Sequence, residues 1–372
     1  MISVDFCSVF LSNPIYDSRL VNLDESLTKN SKSTAVVGFD WFENSRKISK
    51  TNWFIFKIKR RPAFIFYLKF IYLAFFQLKE IKAKTYIAED VYSLPIVVFW
   101  AKIRKAKILY NSREFYFALG GLSNRPKIQK LISWIENKFI KSVDVVLATG
   151  EMDKEILEKQ YQISNVRVIR NIPKMTFPTS KIDFREKYNL PNDCFIMIYQ
   201  GILQEGRGIK LVLNTISEID NIAFIIVGDG PKSEEYKKIV EEKRLERKVF
   251  FTGLVEHNEL INYSASANIG LSLIENISLS YFYALPNKLF EYINSGIPIL
   301  SSDLPQMKQI IEKFKIGRIV NLEHDPEANL KNEIQTMRDN PQYLLQMKSN
   351  TIRAVQELNW DVEFERNKDI FM

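Results

Sequence analysis

Short apolar runs bounded by polar turns recur along the whole 372-residue chain and alternate with stretches of helical periodicity. In the first half, residues 4–11 (VDFCSVFL), 33–39 (STAVVGF), 85–88 (TYIA), 107–110 (KILY) and 143–148 (VDVVLA) have the length and branching of strands. Residues 127–141 and 151–161 carry helical periodicity. Residues 195–199 (FIMIY), 224–227 (FIIV), 249–253 (VFFTG) and 297–300 (IPIL) continue the strand pattern in the second half. Strands alternating with helices predict parallel α/β sheets. The length exceeds what one hydrophobic core serves, and an apolar content of 46% is ample for two. The pattern relaxes from residues 171–173 (NIP) to 191–193 (PND), where prolines and polar residues predict a linker. Domains at 1–172 and from 173 onward follow. No repeat at a solenoid period and no low-complexity tract interrupts this organisation.

The most informative stretch is 281–303, YFYALPNKLFEYINSGIPILSSD. It predicts a loop, a short helix and a buried strand. Pro286 suits a first helical turn, Leu289, Phe290 and Ile293 form an apolar face, and Gly296 suits the position just past the helix end. Asn287 and Lys288 then lie where free N–H groups and the positive end of the dipole favour an anion. Glu291 follows one turn later on the same face, able to accept from sugar hydroxyls. A capped surface helix with a polar first turn accounts equally for this segment alone. A second anion-binding corner is predicted where strand 195–199 runs into a loop holding Gly201, Arg207 and Gly208, with a helix beginning near Ile209. Arg207 can fork two N–H groups onto a diphosphate. Residues 224–227 lead into Gly228-Asp229-Gly230-Pro231, and residues 249–253 end in Thr252-Gly253.

Taken in order, strand–GxxxxxRG, VGDGP, FTG and PNKLFEYxxxGxPIxxSD resemble the donor domain of bacterial family 4 glycosyltransferases, within glycosyltransferase group 1. The PNKLFEY form is similar to a branch engaged in cell-surface polysaccharide synthesis. The resemblance implies the GT-B fold: α/β, two facing Rossmann-like domains, with a C-terminal helix, about residues 355–372, crossing back to the N-terminal domain. It implies that Arg207 contacts the donor diphosphate, that Glu291 binds the ribose, and that Leu254 and Val255 hold the base through backbone groups. Gly201, Gly208, Gly228, Ala284 and Asn287 complete the donor set. Two positions depart from the pattern. Ile202 stands where the family often has arginine, and Lys288 is the expected substitute cation. Tyr283 stands eight residues before Glu291, where the paired-glutamate motif has its first glutamate, so backbone N–H groups of residues 284–287 are expected to share the grip on the sugar.

The first half carries no G-x-G-x-x-G after a strand, which argues against a dinucleotide cofactor. Polar groups cluster at two strand ends, Ala88-Glu89-Asp90 and Asn111-Ser112-Arg113-Glu114. Related transferases have histidine-bearing motifs there. Asp90, Arg113 and Glu114, with Asp17 and Arg19 after the first strand, are the acceptor-side candidates; each reads equally as a capping or paired surface residue. Only His257 and His324 are present, and their spacing argues against a histidine-based metal site. Cys7 and Cys194 read as reduced core thiols of a cytoplasmic protein. The opening residues MISVDFCSVFL read as a strand, which argues against secretion.

Charge is uneven. Residues 46–84 hold eleven Lys/Arg and one acid, Glu80, whereas the whole chain is +8, so the remainder is slightly acidic. The same stretch is rich in Trp, Phe, Tyr and Ile. Its apolar run, 63–78, is too short to span a bilayer. It reads as a basic aromatic helix lying on an anionic membrane surface, or as a core helix with solvated cations. No recognition motif supports nucleic acid as a partner. The expected activity is a retaining transfer of a sugar from a nucleoside-diphosphate-sugar to a hydroxyl of a growing, lipid-linked glycan, with no obligatory metal or cofactor. The alternatives are a nucleotide-sugar 2-epimerase of the same fold and a catalytically silent glycan-binding or scaffold subunit.

Overall fold

The computed structural model describes residues 1–41, 50–59, 63–119, 122 and 125–372. Residues 46–49 and 60–62 of the basic segment therefore lie outside the described residues. The chain forms two compact units, residues 1–171 with 363–372, and residues 172–362.

Unit 1 contains β1 (Ile2–Val9), β2 (Thr34–Asp40), β3 (Trp53–Lys57), β4 (Ile81–Ala88), β5 (Lys107–Asn111), β6 (Val145–Ala148) and β7 (Val166–Val168). They form one parallel sheet in the order β3-β2-β1-β4-β5-β6-β7. Its helices are α1 (Ser18–Lys29), α2 (Ala63–Lys79), α3 (Leu94–Arg104), α4 (Pro126–Ile140) and α5 (Glu151–Tyr161). Unit 2 contains β8 (Phe195–Gln200), β9 (Ile222–Val227), β10 (Val249–Gly253), β11 (Ile269–Ser272), β12 (Ile299–Ser302) and β13 (Gly317–Val320), ordered β10-β9-β8-β11-β12-β13 and again all parallel. Its helices run α6 (Phe184–Tyr188), α7 (Ile209–Thr215), α8 (Ser233–Glu242), α9 (Leu260–Ser264), α10 (Leu279–Phe282), α11 (Asn287–Asn294), α12 (Pro305–Phe314), α13 (Pro326–Asp339) and α14 (Pro341–Ala354). The last helix, α15 (Trp360–Arg366), spans the change of unit.

Both sheets are doubly wound and reverse their order beside the first strand, between β1 and β4 and between β8 and β11. In such sheets ligands bind outside the carboxyl ends of the strands at that reversal. The α/β, two-Rossmann architecture is thus the one the sequence pattern predicts. Every residue of β8 and β9 is buried, as central strands covered on both faces require.

Several boundaries differ from expectation. The chain returns to unit 1 at Glu363; Val355 and Leu358, expected in the returning helix, are buried in the core of unit 2. Glu363 then accepts from the Arg170 backbone N–H at 2.8 Å and pairs with its guanidinium at 3.1 Å. Pro286 is the N-cap of α11, with extended backbone, and the helix proper starts one residue later. Gly296 does lie just past the helix, at φ 70°. The basic segment is not one helix: residues 53–57 pair with β2 as an edge strand before α2 begins. Among the described residues no helix is long and apolar enough to cross a membrane.

Candidate functional site

In unit 2 the loops after β8, β9 and β10 meet at the carboxyl edge of the sheet. The Gly201 N–H donates to the Val227 carbonyl at 3.0 Å, and the Gly228 N–H to the Gly253 carbonyl at 2.9 Å. Gly228 has φ 132°, and a Cβ there would stand 2.1 Å from the Gly201 oxygen. Only glycine permits that approach. Leu254, just past β10, is 81% exposed, while Val255 turns back and packs on the core.

Arg207 is half-buried. Its guanidinium lies 5.0 Å from the Tyr281 ring centre, and with the Gln204 amide oxygen facing it, two of its nitrogens donate to that oxygen at 2.8 and 3.1 Å. Gly208 caps α7 in the left-handed region, and its N–H donates to Glu275 Oε1 at 3.2 Å. The Glu275 N–H in turn donates to the Gly206 carbonyl at 3.1 Å. The anion corner predicted at α7 therefore already faces a carboxylate of the chain. Sequence reasoning missed Glu275. Its signal was a glutamate three residues after a strand, separated from Glu291 by a longer insertion than the motif spacing allows.

Helix α11 brings Lys288 and Glu291 to this edge. Lys288 is buried, its Nζ 3.6 Å from the Tyr199 ring centre and 3.7 Å from where a Gly201 Cβ would stand. Burial, and the Arg207 guanidinium after it, push the Lys288 ammonium well below the usual lysine range, while Glu291 pulls the other way. Glu291 Oε2 accepts from the Gln200 side chain, whose own oxygen accepts from Ser264 Oγ. Gln200, the last residue of β8, is a second missed group. The N–H groups of Asn287 and Lys288 occupy the first turn of α11, where they have no intrahelical acceptor. Ala284 does not offer its N–H, which donates to the Tyr281 carbonyl at 3.0 Å. Ile202 is 62% exposed, and the Tyr283 carbonyl accepts from Gln306 at 2.6 Å.

Unit 1 gathers its candidates at the ends of β1, β4 and β5, bracketing the order reversal. Arg113 pairs with Asp17 and, at 2.7 Å, with Glu89; its guanidinium lies 4.5 Å from the Phe10 ring centre. Asp17 also caps α1, accepting from the Leu20 N–H at 2.8 Å. Arg19 is buried with Nη2 unpartnered, and burial, with Arg113 beside it, lowers its pKa to about 10. Asp90 is not presented to a ligand: its two oxygens accept from the Leu11 and Ser93 N–H groups, both at 2.7 Å, and cap the turn before α3. Burial raises the Asp90 pKa. The preceding residue, Glu89, is fully buried and accepts from Ser8 at 3.1 Å and Asn111 at 2.8 Å as well as from Arg113. Glu114 is exposed. Thus Asp17, Arg19 and Arg113 come together, Glu89 joins them, and Asp90 serves the fold. No cluster of three His, Cys, Asp or Glu side chains suited to a metal ion occurs among the described residues.

Comparison with known proteins gives a consistent picture. Residues 180–354 match the family model described as glycosyl transferases group 1. The chain is 23% identical over 299 residues to an alpha-monoglucosyldiacylglycerol synthase of Streptococcus pneumoniae, covering 74% of this chain and 65% of that protein. It is 23% identical over 142 residues to the O-antigen biosynthesis glycosyltransferase WclY of Escherichia coli, covering 36% of each. The matches thus span less than two thirds of either relative's length. Among solved structures, a sucrose-phosphate synthase from Thermosynechococcus elongatus superposes with a TM-score of 0.78 at 17% identity, covering 99% of this chain and 98% of that one. HepE of Anabaena in complex with UDP-glucose gives 0.74 at 13% identity, covering 99% of each. At these identities the likeness shows a shared fold.

Proposed function

Because residues 180–354 belong to the glycosyl transferases group 1 family, we propose that the chain is a glycosyltransferase that uses a nucleoside-diphosphate-sugar. The acceptor is a hydroxyl of a growing, lipid-linked surface glycan. The observation that carries this reading is the convergence within unit 2 of Arg207, Lys288, the first turn of α11 and Glu291 around the glycine loops. Cations and N–H groups meet a diphosphate, and the Glu291 carboxylate meets the ribose hydroxyls. Leu254 and Val255 flank the base, and the Glu275 carboxylate beside the loop can accept from the transferred sugar. A WclY relative named for O-antigen biosynthesis and a neighbour holding UDP-glucose support the substrate class.

We read the transfer as retaining. The bond from the anomeric carbon to the diphosphate oxygen breaks, and a bond to the acceptor oxygen forms on the same face. The acceptor proton passes to a leaving phosphate oxygen. Arg207, Lys288 and the α11 N–H groups stabilise the departing charge, so the step requires no metal. Unit 1 supports this reading because it contains no histidine, and the carboxylates of Asp17, Glu89 and Asp90 are all engaged. Arg113, Arg19, Asp17 and Glu114 remain the acceptor-side residues, with the basic segment 46–84 as the membrane-facing element of a peripheral enzyme.

A thermal-shift screen of UDP-, GDP-, ADP- and CMP-sugars tests the donor class, since a bound donor stabilises the fold. The responding donor should then undergo slow hydrolysis without acceptor. An isomerised nucleotide-sugar would identify an epimerase instead, and silence towards all four would reject the donor site. Glu291→Ala should weaken the responding donor by roughly 1.5–3 kcal/mol in calorimetry while the protein stays folded.

A further inference from the structure

We propose that unit 1 carries a separate saccharide subsite, a groove between α4, the end of α5 and the 3-10 turn Tyr116–Ala118, which takes one or two neutral hexopyranose units. The groove has a volume of about 520 Å³, inside the range of small-molecule sites. Trp134 projects from α4 with 56% of its surface exposed, half-buried Phe117 supplies further ring surface, and buried Tyr161 closes the floor. Four uncharged hydrogen-bonding side chains, Gln129, Ser133, Asn137 and Gln160, share the lining. No carboxylate lines the groove, and Lys130 is the one charged lining residue among the described residues.

That combination selects the ligand class. An indole face takes the C–H face of a pyranose ring, and amides both donate to and accept from neighbouring hydroxyls. A lipid chain would satisfy the rings but cover the polar side chains of Ser133, Asn137 and Gln160 without pairing them. A phosphate would find a single cation and no ring contact. Tyr161 is fixed by burial and donates to buried Glu136, the exposed Lys138 ammonium lies 5.0 Å from the Trp134 ring centre, and Gln129 Nε2 donates to the Phe117 backbone carbonyl at 2.8 Å. The subsite rests on the transferase reading for its purpose. The 3-10 turn begins two residues after Glu114, so the groove would hold a sugar of the acceptor glycan other than the one that reacts.

The test needs no donor. The full ¹⁵N-labelled chain is titrated with maltose, cellobiose and lactose at tens of millimolar, reading the Trp134 indole N–H, identified by its loss in Trp134→Phe. A saturable shift with at least one sugar is expected, weakened about tenfold in Trp134→Ala and in the double variant Asn137→Ala, Gln160→Ala. No shift with any of the three, or an equal shift in the double variant, overturns the subsite. So does quenching of Trp134 by brominated anionic lipid vesicles, which would assign the residue to a membrane face. A sugar response in a protein that ignores all four nucleotide-sugars would keep the subsite and reject the donor reading.

Discussion

Lys288 occupies a place that disfavours an ammonium. It is enclosed over the Tyr199 ring, with the Arg207 guanidinium near enough to repel it and only Glu291 opposing. A diphosphate arriving between Lys288 and Arg207 reverses the balance, because the new negative charge favours the protonated amine. The sign follows. The free protein binds fewer protons at Lys288 than the complex, so donor binding takes up a proton, and affinity falls as pH rises between the depressed free-state pKa and the restored one. Calorimetry in two buffers of different ionisation enthalpy should register that uptake, and Lys288→Met should abolish it while weakening the donor. Identical heats in both buffers for the wild type would refute the linkage. The sequence named Lys288 as the substitute for the cation absent at Ile202, but it could not show the burial that makes this cation conditional. Gln200 and Glu275 escaped notice for a related reason. Each acts through a partner distant in sequence, Glu291 and the Gly208 N–H, and motif spacing carries no such information.

At the level of elements, α4 is set against the sheet by a buried acid. Glu136 accepts from Tyr110 of β5 at 2.6 Å and from Tyr161 at the end of α5, tying three elements together. Burial raises its pKa to about 7, against which the two tyrosine hydroxyls pull down. The folded protein therefore keeps a proton that the unfolded chain releases near the ordinary glutamate value. Stability contributed by this proton is present below that ordinary value and is lost as pH rises towards about 7. The loss is on the order of 3 kcal/mol at most, taking about 1.4 kcal/mol per unit. Thermal unfolding of the wild type should decline from acid to neutral pH, and Glu136→Gln should flatten that decline; parallel curves for the two proteins would show that Glu136 does not titrate in this window. Legibility among the elements follows burial. Central strands such as β8 and β9 are continuous apolar runs and were plain in the sequence. The edge strands β3, β7 and β13 are half-exposed and three to five residues long, so their mixed pattern did not separate them from loops. Strand β11 was hidden by its length of four residues and by Gly270, where a Cβ would collide with the Tyr292 ring.

On the scale of the whole molecule, the proposed lipid-linked acceptor requires a way to the membrane for a chain whose described helices do not cross one. Helix α2 is the element we propose for that contact. It buries Phe66, Phe70, Ala74 and Leu78 against the sheet and leaves Ile65, Leu68, Ile71, Tyr72 and Phe76 on the opposite side, from 46% to 62% exposed. One stripe of the helix is core, as the core-helix reading expects, and the other is an exposed apolar surface flanked by exposed Lys69 and Lys79. Lys57 and Lys59 extend the cationic rim. An anionic bilayer satisfies both features, rings and aliphatic groups entering the interface and each cation adding roughly 1 kcal/mol. The protein should co-sediment with anionic vesicles and far less with neutral ones, and salt should release it as the charges are screened. Replacing Lys57, Lys59, Arg60 and Arg61 with glutamine should weaken sedimentation in a salt-dependent way. Ile71→Glu with Phe76→Glu should abolish it even at low salt, because the apolar contribution is lost. Donor hydrolysis in solution should be unchanged in both variants, since the proposed nucleotide-sugar residues lie in unit 2. Equal sedimentation of the wild type with neutral and anionic vesicles would rule out electrostatic docking, and full retention of binding by the Ile71→Glu, Phe76→Glu variant would remove α2 from the contact.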